Sequence, residues 1–169
     1  MEIGGSPSGA LFSDKNRKCR YSLWRIWDKS KGPLLFIGLN PSTANDIHND
    51  PTIIRLANFA KAWGYGGLYA GNLFSLVSSN PAALFYVDAV EFDGGPNDKA
   101  IIKMRELCSV VMVGWGSWGI HARKQISHVL SLVGSPIYCL KVTRKGEPAH
   151  PLYFPKDSKL TPYSRPRLD

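Results

Sequence analysis

Apolar residues in this chain form short runs separated by stretches of helical periodicity. The run at residues 34–38 contains no polar position, which is typical of a central parallel strand buried on both faces. Residues 68–73, 109–113 and 136–142 predict further strands of the same kind. Residues 20–27 instead alternate polar and apolar positions, which predicts a half-buried strand at the edge of a sheet.

Helices are predicted between these strands. Apolar residues recur at helical spacing over residues 53–63, preceded by Asp50 as a cap and Pro51 in the first turn, and followed by Gly64. Further helices are expected after Asn80 and over residues 99–107 and 120–133. Strands that alternate with helices indicate a parallel sheet covered on both faces. We therefore expect a three-layer α/β/α fold with a central, mostly parallel sheet of four strands, plus an N-terminal edge strand.

The length of 169 residues suits one domain. Residues 19–169 are expected to form it. Residues 1–18 contain few core-forming side chains and end in a basic run, so this segment is expected to be flexible.

The formal net charge of +8 indicates a polyanionic partner, because a basic surface attracts polyanions. DNA is the expected partner, although a basic protein that binds no nucleic acid has the same composition. Three widely spaced cysteines indicate a reducing compartment, and no apolar stretch reaches the roughly 20 residues of a membrane span. We expect a cytoplasmic, monomeric protein without a membrane partner.

Polar or glycine-rich segments follow the predicted strands directly, at residues 40–43, 72–75, 114–117 and 143–150. Ligands of such folds bind beyond the carboxyl ends of the strands, so these segments are expected to share one site. The Asn40 amide cannot remove a proton, but it can orient a water molecule. Taken alone, Asn40-Pro41-Ser42 is more typical of a turn that leaves a strand than of a functional site.

The late loop contains His150, followed by Leu152 and Tyr153 in a basic, irregular region. Apolar residues in this setting are typical of a wedge inserted between bases, or of a pin that holds the tail. The carboxamide of Asn72 is suited to pairing with the edge of a pyrimidine, or it is a satisfied buried amide. Ser117 either caps a helix or binds a phosphate.

Two other kinds of site are not expected. Asp46, His48 and Asp50 have side chains that bind metals, but their spacing is generic and capping explains Asp50. The short segment from Gly114 to Gly116 lacks the length and the later acidic residue of a dinucleotide fingerprint. We therefore expect neither a metal nor a cofactor.

Taken in order, these segments resemble the motifs of the uracil-DNA glycosylase superfamily. Residues 38–42, GLNPS, resemble the GxNPG form of the mismatch-specific and thymine-DNA glycosylase branch. Residues 69–72 resemble the strand with the base-reading asparagine, residues 113–117 a hydrophobic strand that ends in WGS, and residues 150–153, HPLY, the HPSPL loop. The resemblance extends over about residues 33–153.

The resemblance implies a role for each residue in a flipped-base mechanism. Asn72 would read the base edge, in a pocket completed by Leu39, Pro51 and Thr52. His150 would stabilise negative charge on the base, and Asn40 would position the attacking water. DNA would be held by Ser42, Thr43, Ser117, Leu152 and Tyr153. Apart from the resemblance, Lys141 and Arg144 belong to a basic run beside the histidine loop, which is either a solvated face or, as its position favours, a phosphate contact.

The sequence departs from the family pattern in three places. The strongest uracil excisers carry Asp where this chain has Asn40, the late motif lacks its serine, and no aromatic residue occupies the region of Pro51, Thr52 and Ile53. The expected function is a DNA glycosylase that excises uracil or a modified or mispaired pyrimidine. The alternatives are a non-catalytic module that binds a base or nucleotide, and an enzyme that modifies a DNA base.

Overall fold

The computed structural model describes residues 2–85 and 95–164. Within these ranges the strands are β1 (Ser8–Phe12), β2 (Arg20–Ile26), β3 (Pro33–Gly38), β4 (Gly67–Asn72), β5 (Val110–Val113), β6 (Ile137–Cys139) and β7 (Thr161–Pro162). The α-helices are α1 (Pro51–Ala62), α2 (Pro96–Leu107) and α3 (Arg123–Val133). Short 3₁₀ helices occupy Pro81–Phe85, Ser117–His121 and Pro151–Tyr153. None of these helices is long and apolar enough to cross a lipid bilayer.

The strands form one seven-stranded sheet in the order β1-β2-β4-β3-β5-β6-β7. Strands β4, β3, β5 and β6 are parallel to their neighbours within this group. The pairings of β1 with β2, β2 with β4 and β6 with β7 are antiparallel. The prediction of an α/β fold is confirmed. The prediction of a four-stranded, mostly parallel sheet is wrong, because antiparallel strands extend the sheet on both sides.

Strand β2 corrects the expectation of an N-terminal edge strand. It lies inside the sheet between β1 and β4, and its alternating polar residues Arg20 and Ser22 are buried. The edge is β1, which lies within the segment 1–18 that is expected from the sequence to be flexible. Gly9 of β1 packs directly on the Trp24 ring, where a Cβ atom would come within 2.3 Å of the indole.

The helices cover both faces of the sheet. Leu34 and Phe36 of β3 pack with apolar residues of α1 in one core cluster, whereas Leu35 and Ile37 belong to a second cluster that contains residues of α2 and α3. Successive strand residues point to opposite faces, so an uninterrupted apolar run is needed where both faces are covered. This explains the run at residues 34–38.

Local signals place α1, which begins as the sequence predicts. Asp50 is its N-cap, and the carboxylate accepts a hydrogen bond from the Ile53 amide at 2.9 Å. The predicted helix over residues 120–133 is instead divided into the 3₁₀ helix Ser117–His121 and α3.

The chain order creates a crevice above β3. From β3 the chain runs through α1 to β4 on one side, and from β4 through α2 to β5 on the other side. The connections that leave neighbouring strands therefore diverge, which opens a crevice at the carboxyl ends of the strands.

Candidate functional site

A cavity of about 540 Å³ lies at the carboxyl ends of the central strands. Its lining includes residues from the ends of β3 and β4, the segment after β5 and the loop after β6. The sequence-predicted residues that it brings together are Leu39, Asn40, Ser42, Thr52, Asn72, Ser117, His150 and Tyr153.

Asn40 is fixed by backbone carbonyl groups of its own loop and of the segment that follows β4. Its Nδ2 donates to the oxygen of Ser78 at 2.8 Å, to that of Pro41 at 3.1 Å and to that of Leu76 at 3.3 Å. Among the described residues, no donor contacts its Oδ1 atom. The side chain therefore has its donor side bound to the protein and its acceptor side available to a ligand or a water molecule.

Asn72 is buried at the end of β4, against the backbone of the first motif. Carboxamide oxygen and nitrogen atoms are assigned from their hydrogen-bond partners. With Nδ2 facing acceptors, the side chain donates to the oxygens of Asn40 and Gly71, both at 3.3 Å. A Cβ atom at position 38 would come within 2.9 Å of this carboxamide, so Gly38 provides the room that Asn72 occupies. Asn72 thus also presents an oxygen acceptor.

His150 precedes the 3₁₀ helix Pro151–Tyr153 and lines the cavity. Its Nδ1 accepts a hydrogen bond from the Leu152 amide at 3.4 Å, which places the proton of the neutral ring on Nε2. Burial lowers the pKa of His150 from 6.5, and the negative charge of Asp50 partly opposes this effect. At neutral pH the ring is therefore a neutral Nε2–H donor.

Two charged residues in the cavity were not recognised as site residues from the sequence. Arg20 on β2 is only 3% exposed, and Asp50 at the start of α1 is 8% exposed. Burial lowers the pKa of Arg20 to about 10, and attraction to Asp50 opposes that shift. The polar positions in the alternating pattern of β2 were the available signal for Arg20. Asp50 was assigned only as a helix cap, because that role was sufficient to explain an aspartate at this position.

Three arginines hold the loop between β3 and α1. Arg20 Nη1 donates to the Ala44 oxygen at 2.6 Å, and Arg25 Nη2 donates to the Asn45 oxygen at 2.6 Å. Arg17 forms an ion pair with Asp46 at 3.1 Å. These contacts, which we call the arginine clamp, join the loop that follows the first motif to β2 and the residues before it.

Aromatic side chains line the cavity, although none comes from the region of Pro51, Thr52 and Ile53. Phe36 and Trp115 are buried, whereas Trp118 and Tyr153 are exposed at the rim. Trp115 Nε1 donates to the buried Glu147 carboxylate at 2.6 Å, which fixes the indole. Their ring faces offer stacking surfaces for a planar ligand, from elements other than the region of Pro51, Thr52 and Ile53.

The other predicted site residues lie outside the cavity lining. Pro51 and Thr43 are exposed, and Leu152 is half-buried within its 3₁₀ helix. Lys141 and Arg144 are exposed on the segment that turns at Thr143 and returns towards His150. Lys141 and Arg144 therefore precede His150 by a few residues in the chain, but the structure does not bring them into the cavity lining.

No cluster of three or more metal-binding side chains occurs in residues 2–85 and 95–164. The acidic and histidine residues of the segment 46–50 do not share one site. Asp46 pairs with Arg17, Asp50 caps α1, and His48 is exposed.

Comparison with known proteins gives one match. A family model described as "Protein of unknown function (DUF1643)" matches residues 20–152, which include every strand from β2 to β6 and all of the cavity lining except Tyr153. No curated protein and no solved structure matches the chain.

Proposed function

The chain belongs to the DUF1643 family of proteins of unknown function, and we propose that it is a DNA glycosylase. In this proposal it hydrolyses the N-glycosidic bond of uracil, or of a modified or mispaired pyrimidine, after the nucleotide has flipped out of DNA. One observation carries the proposal: Asn40 and His150, distant in the chain, line the same cavity together with Asn72.

The volume and lining of the cavity support a planar, polar ligand. About 540 Å³ lies within the range of roughly 300–1,000 Å³ that is usual for small-molecule sites. Phe36, Trp115 and Trp118 supply aromatic surface, and the two asparagines supply acceptors. A nucleobase combines flat ring faces with donors and acceptors along its edge, so it matches this combination.

Each polar group has a role in the proposed reaction. The Asn72 oxygen accepts a hydrogen bond from an N–H group on the base edge. The His150 Nε2–H donates to a base carbonyl as negative charge develops there during bond cleavage. The Asn40 oxygen orients the water molecule that attacks the sugar carbon. A neutral histidine suits this role because it donates a hydrogen bond without a charge that requires hydration.

The central strands also support a uracil-DNA glycosylase-like fold as part of the proposal. Residues from the ends of β3 and β4, the segment after β5 and the loop after β6 line the cavity, and the motifs that resemble this superfamily follow these four parallel strands in order. The antiparallel strands β1, β2 and β7 are additions outside that parallel group.

DNA would bind across the rim. The net charge of +8 and the exposed Lys141 and Arg144 favour phosphate contact. Ser42, Thr43 and Ser117 would contact phosphates close to the cavity, and Leu152 or Tyr153 would fill the vacated stack. Replacing Lys141 and Arg144 with alanine should reduce the slope of log affinity against log salt by about 2, at about 1 per phosphate contact. Alanines at Lys99 and Lys103 on α2 are the control. An equal reduction of the slope in this control would refute the proposal that DNA contacts Lys141 and Arg144 specifically.

Abasic-site formation on a panel of oligonucleotides tests the enzymatic activity. The panel carries uracil, mispaired thymine or hydroxymethyluracil, in single and double strands. We expect cleavage of at least one substrate, a loss of about 100-fold or more in His150→Ala, and unchanged cleavage in His48→Ala, which removes an exposed histidine outside the cavity. Absence of cleavage across the panel would refute the glycosylase proposal.

One observation favours a second candidate. The amide at position 40 cannot take a proton from water, so a module that binds an extruded base or a nucleotide without cleaving it fits the same cavity. Such a module would bind the oligonucleotides of the panel and leave no abasic site. An enzyme that modifies the base would instead change the mass of the base with the glycosidic bond intact.

A further inference from the structure

The carboxylate that the first motif lacks is present elsewhere in the cavity. Asn40 occupies the motif position where the strongest uracil excisers of the resembled superfamily carry an aspartate. Its Nδ2 donates to three backbone oxygens, the nearest at 2.8 Å. A carboxylate has no hydrogen to donate, so an aspartate at this position would face these oxygens without a bond to any of them. The local structure therefore requires an amide at position 40.

Asp50 supplies a carboxylate to the same cavity. One of its oxygens, Oδ1, accepts a hydrogen bond from the Ile53 amide. No hydrogen bond to Oδ2 is formed within residues 2–85 and 95–164. The cap therefore fixes the orientation of the side chain and leaves one oxygen for a ligand or a water molecule.

Arg20 also lines the cavity, and its properties support a ligand-binding role for the part of the lining that contains Arg20 and Asp50. Its side chain is almost completely buried, and Nη1 is held by the Ala44 oxygen at 2.6 Å. Its Nε atom is buried without a hydrogen-bond partner. Arg20 and Asp50 attract each other electrostatically, but no ion pair within 4.0 Å joins them in the described part of the chain. A buried cation and a buried anion therefore line the same cavity without an ion pair between them, which gives this part of the lining the groups to bind a polar molecule.

We propose that Asp50 is the general base of the reaction and removes a proton from the attacking water. This inference rests on the proposed glycosylase function. The water oxygen bonds to the anomeric carbon of the deoxyribose, and the carbon–nitrogen bond breaks with its electron pair remaining on the base. Asp50 takes one water proton, while the His150 Nε2–H stabilises the departing anion. Proton transfer from Asp50 through solvent to the base completes the hydrolysis. Arg20 holds the loop that precedes Asp50 through its hydrogen bond to the Ala44 oxygen.

The test uses substitutions that preserve the helix cap. Asparagine and glycine both serve at N-cap positions, so Asp50→Asn and Asp50→Gly keep the start of α1. With a substrate that the wild-type protein cleaves, we expect single-turnover cleavage to fall by about 100-fold or more in both variants, with DNA affinity unchanged. Added formate should restore part of the rate in Asp50→Gly, because a small carboxylate can enter the vacated space. Asp157→Asn, at an exposed position outside the cavity, should cleave like the wild type.

The outcomes separate the two proposals. Wild-type rates in Asp50→Asn would refute the role of Asp50 and leave the glycosylase function standing. The same conclusion follows if formate fails to restore Asp50→Gly, or if the variants lose DNA affinity together with cleavage. A wild-type protein that cleaves no member of the panel would refute both proposals.

Discussion

Replacing Asn40 with aspartate should weaken the protein rather than create a faster enzyme. The substitution changes one nitrogen to oxygen, at the atom that contacts the Ser78, Pro41 and Leu76 oxygens. The two hydrogens of Nδ2 can make two full hydrogen bonds, each worth about 1 kcal/mol net. Repulsion between the carboxylate and the carbonyl groups adds to that loss. We therefore expect the free energy of unfolding to fall by about 3 kcal/mol.

Urea unfolding of the wild type, Asn40→Ala and Asn40→Asp measures this effect. Alanine removes the two hydrogen bonds without adding a charge, so it should cost about 2 kcal/mol. The larger loss in Asn40→Asp corresponds to about 6–12 °C in Tm for a protein of this size. Asn58→Asp, which adds a charge at an exposed position of α1, serves as the control. An Asn40→Asp variant as stable as the wild type would contradict the hydrogen-bond assignment, and faster excision would contradict the argument that this position requires an amide.

Three further predictions concern the cavity and the core. Because burial lowers the pKa of His150 below 6.5, the folded protein binds fewer protons there than the unfolded chain, so its stability should fall as the pH drops below about 6.5. His150→Gln should reduce this pH dependence in urea unfolding between pH 5 and 8; an identical profile would place the titration elsewhere. Gly38→Ala should displace Asn72, since the new Cβ would lie 2.9 Å from its carboxamide, and lower the affinity for base-containing oligonucleotides; unchanged affinity would remove Asn72 from base binding. Burial raises the pKa of Cys108 to about 12, and Cys139 is also buried, so iodoacetamide should modify Cys19 alone in the native protein and all three thiols in urea, as mass spectrometry would show. Rapid native modification of Cys108 would contradict its burial.

The elements with strong local signals were predictable from the sequence. Helix α1 has a capping aspartate, a proline in its first turn and a regular apolar stripe, and it begins where these signals place it. Strands β3, β4 and β5 are apolar runs between turn residues, because both of their faces are covered by helices. The gathering of four strand ends at one edge also follows from the alternation of strands and helices.

The remaining features depend on contacts between distant segments. Strand β1 contains Gly9, and glycine in a sequence is unfavourable for a strand. Its role depends on the distant Trp24 ring, which occupies the space that a Cβ atom at position 9 would need. Strand β7 has two residues and exists only because it pairs with β6. The burial of Arg20 depends on the loop that folds over it. Asp50 had a sufficient local explanation as a cap, and its position in the cavity depends on where α1 begins relative to β2 and the His150 loop.

The arginine clamp has a consequence for how a ligand enters. It joins the loop between β3 and α1 to the sheet through a buried contact at Ala44 and further contacts at Asn45 and Asp46. This side of the cavity therefore has its shape before any ligand arrives, and binding need not order it. The exposed Trp118 and Tyr153 side chains of the lining are not held by these contacts.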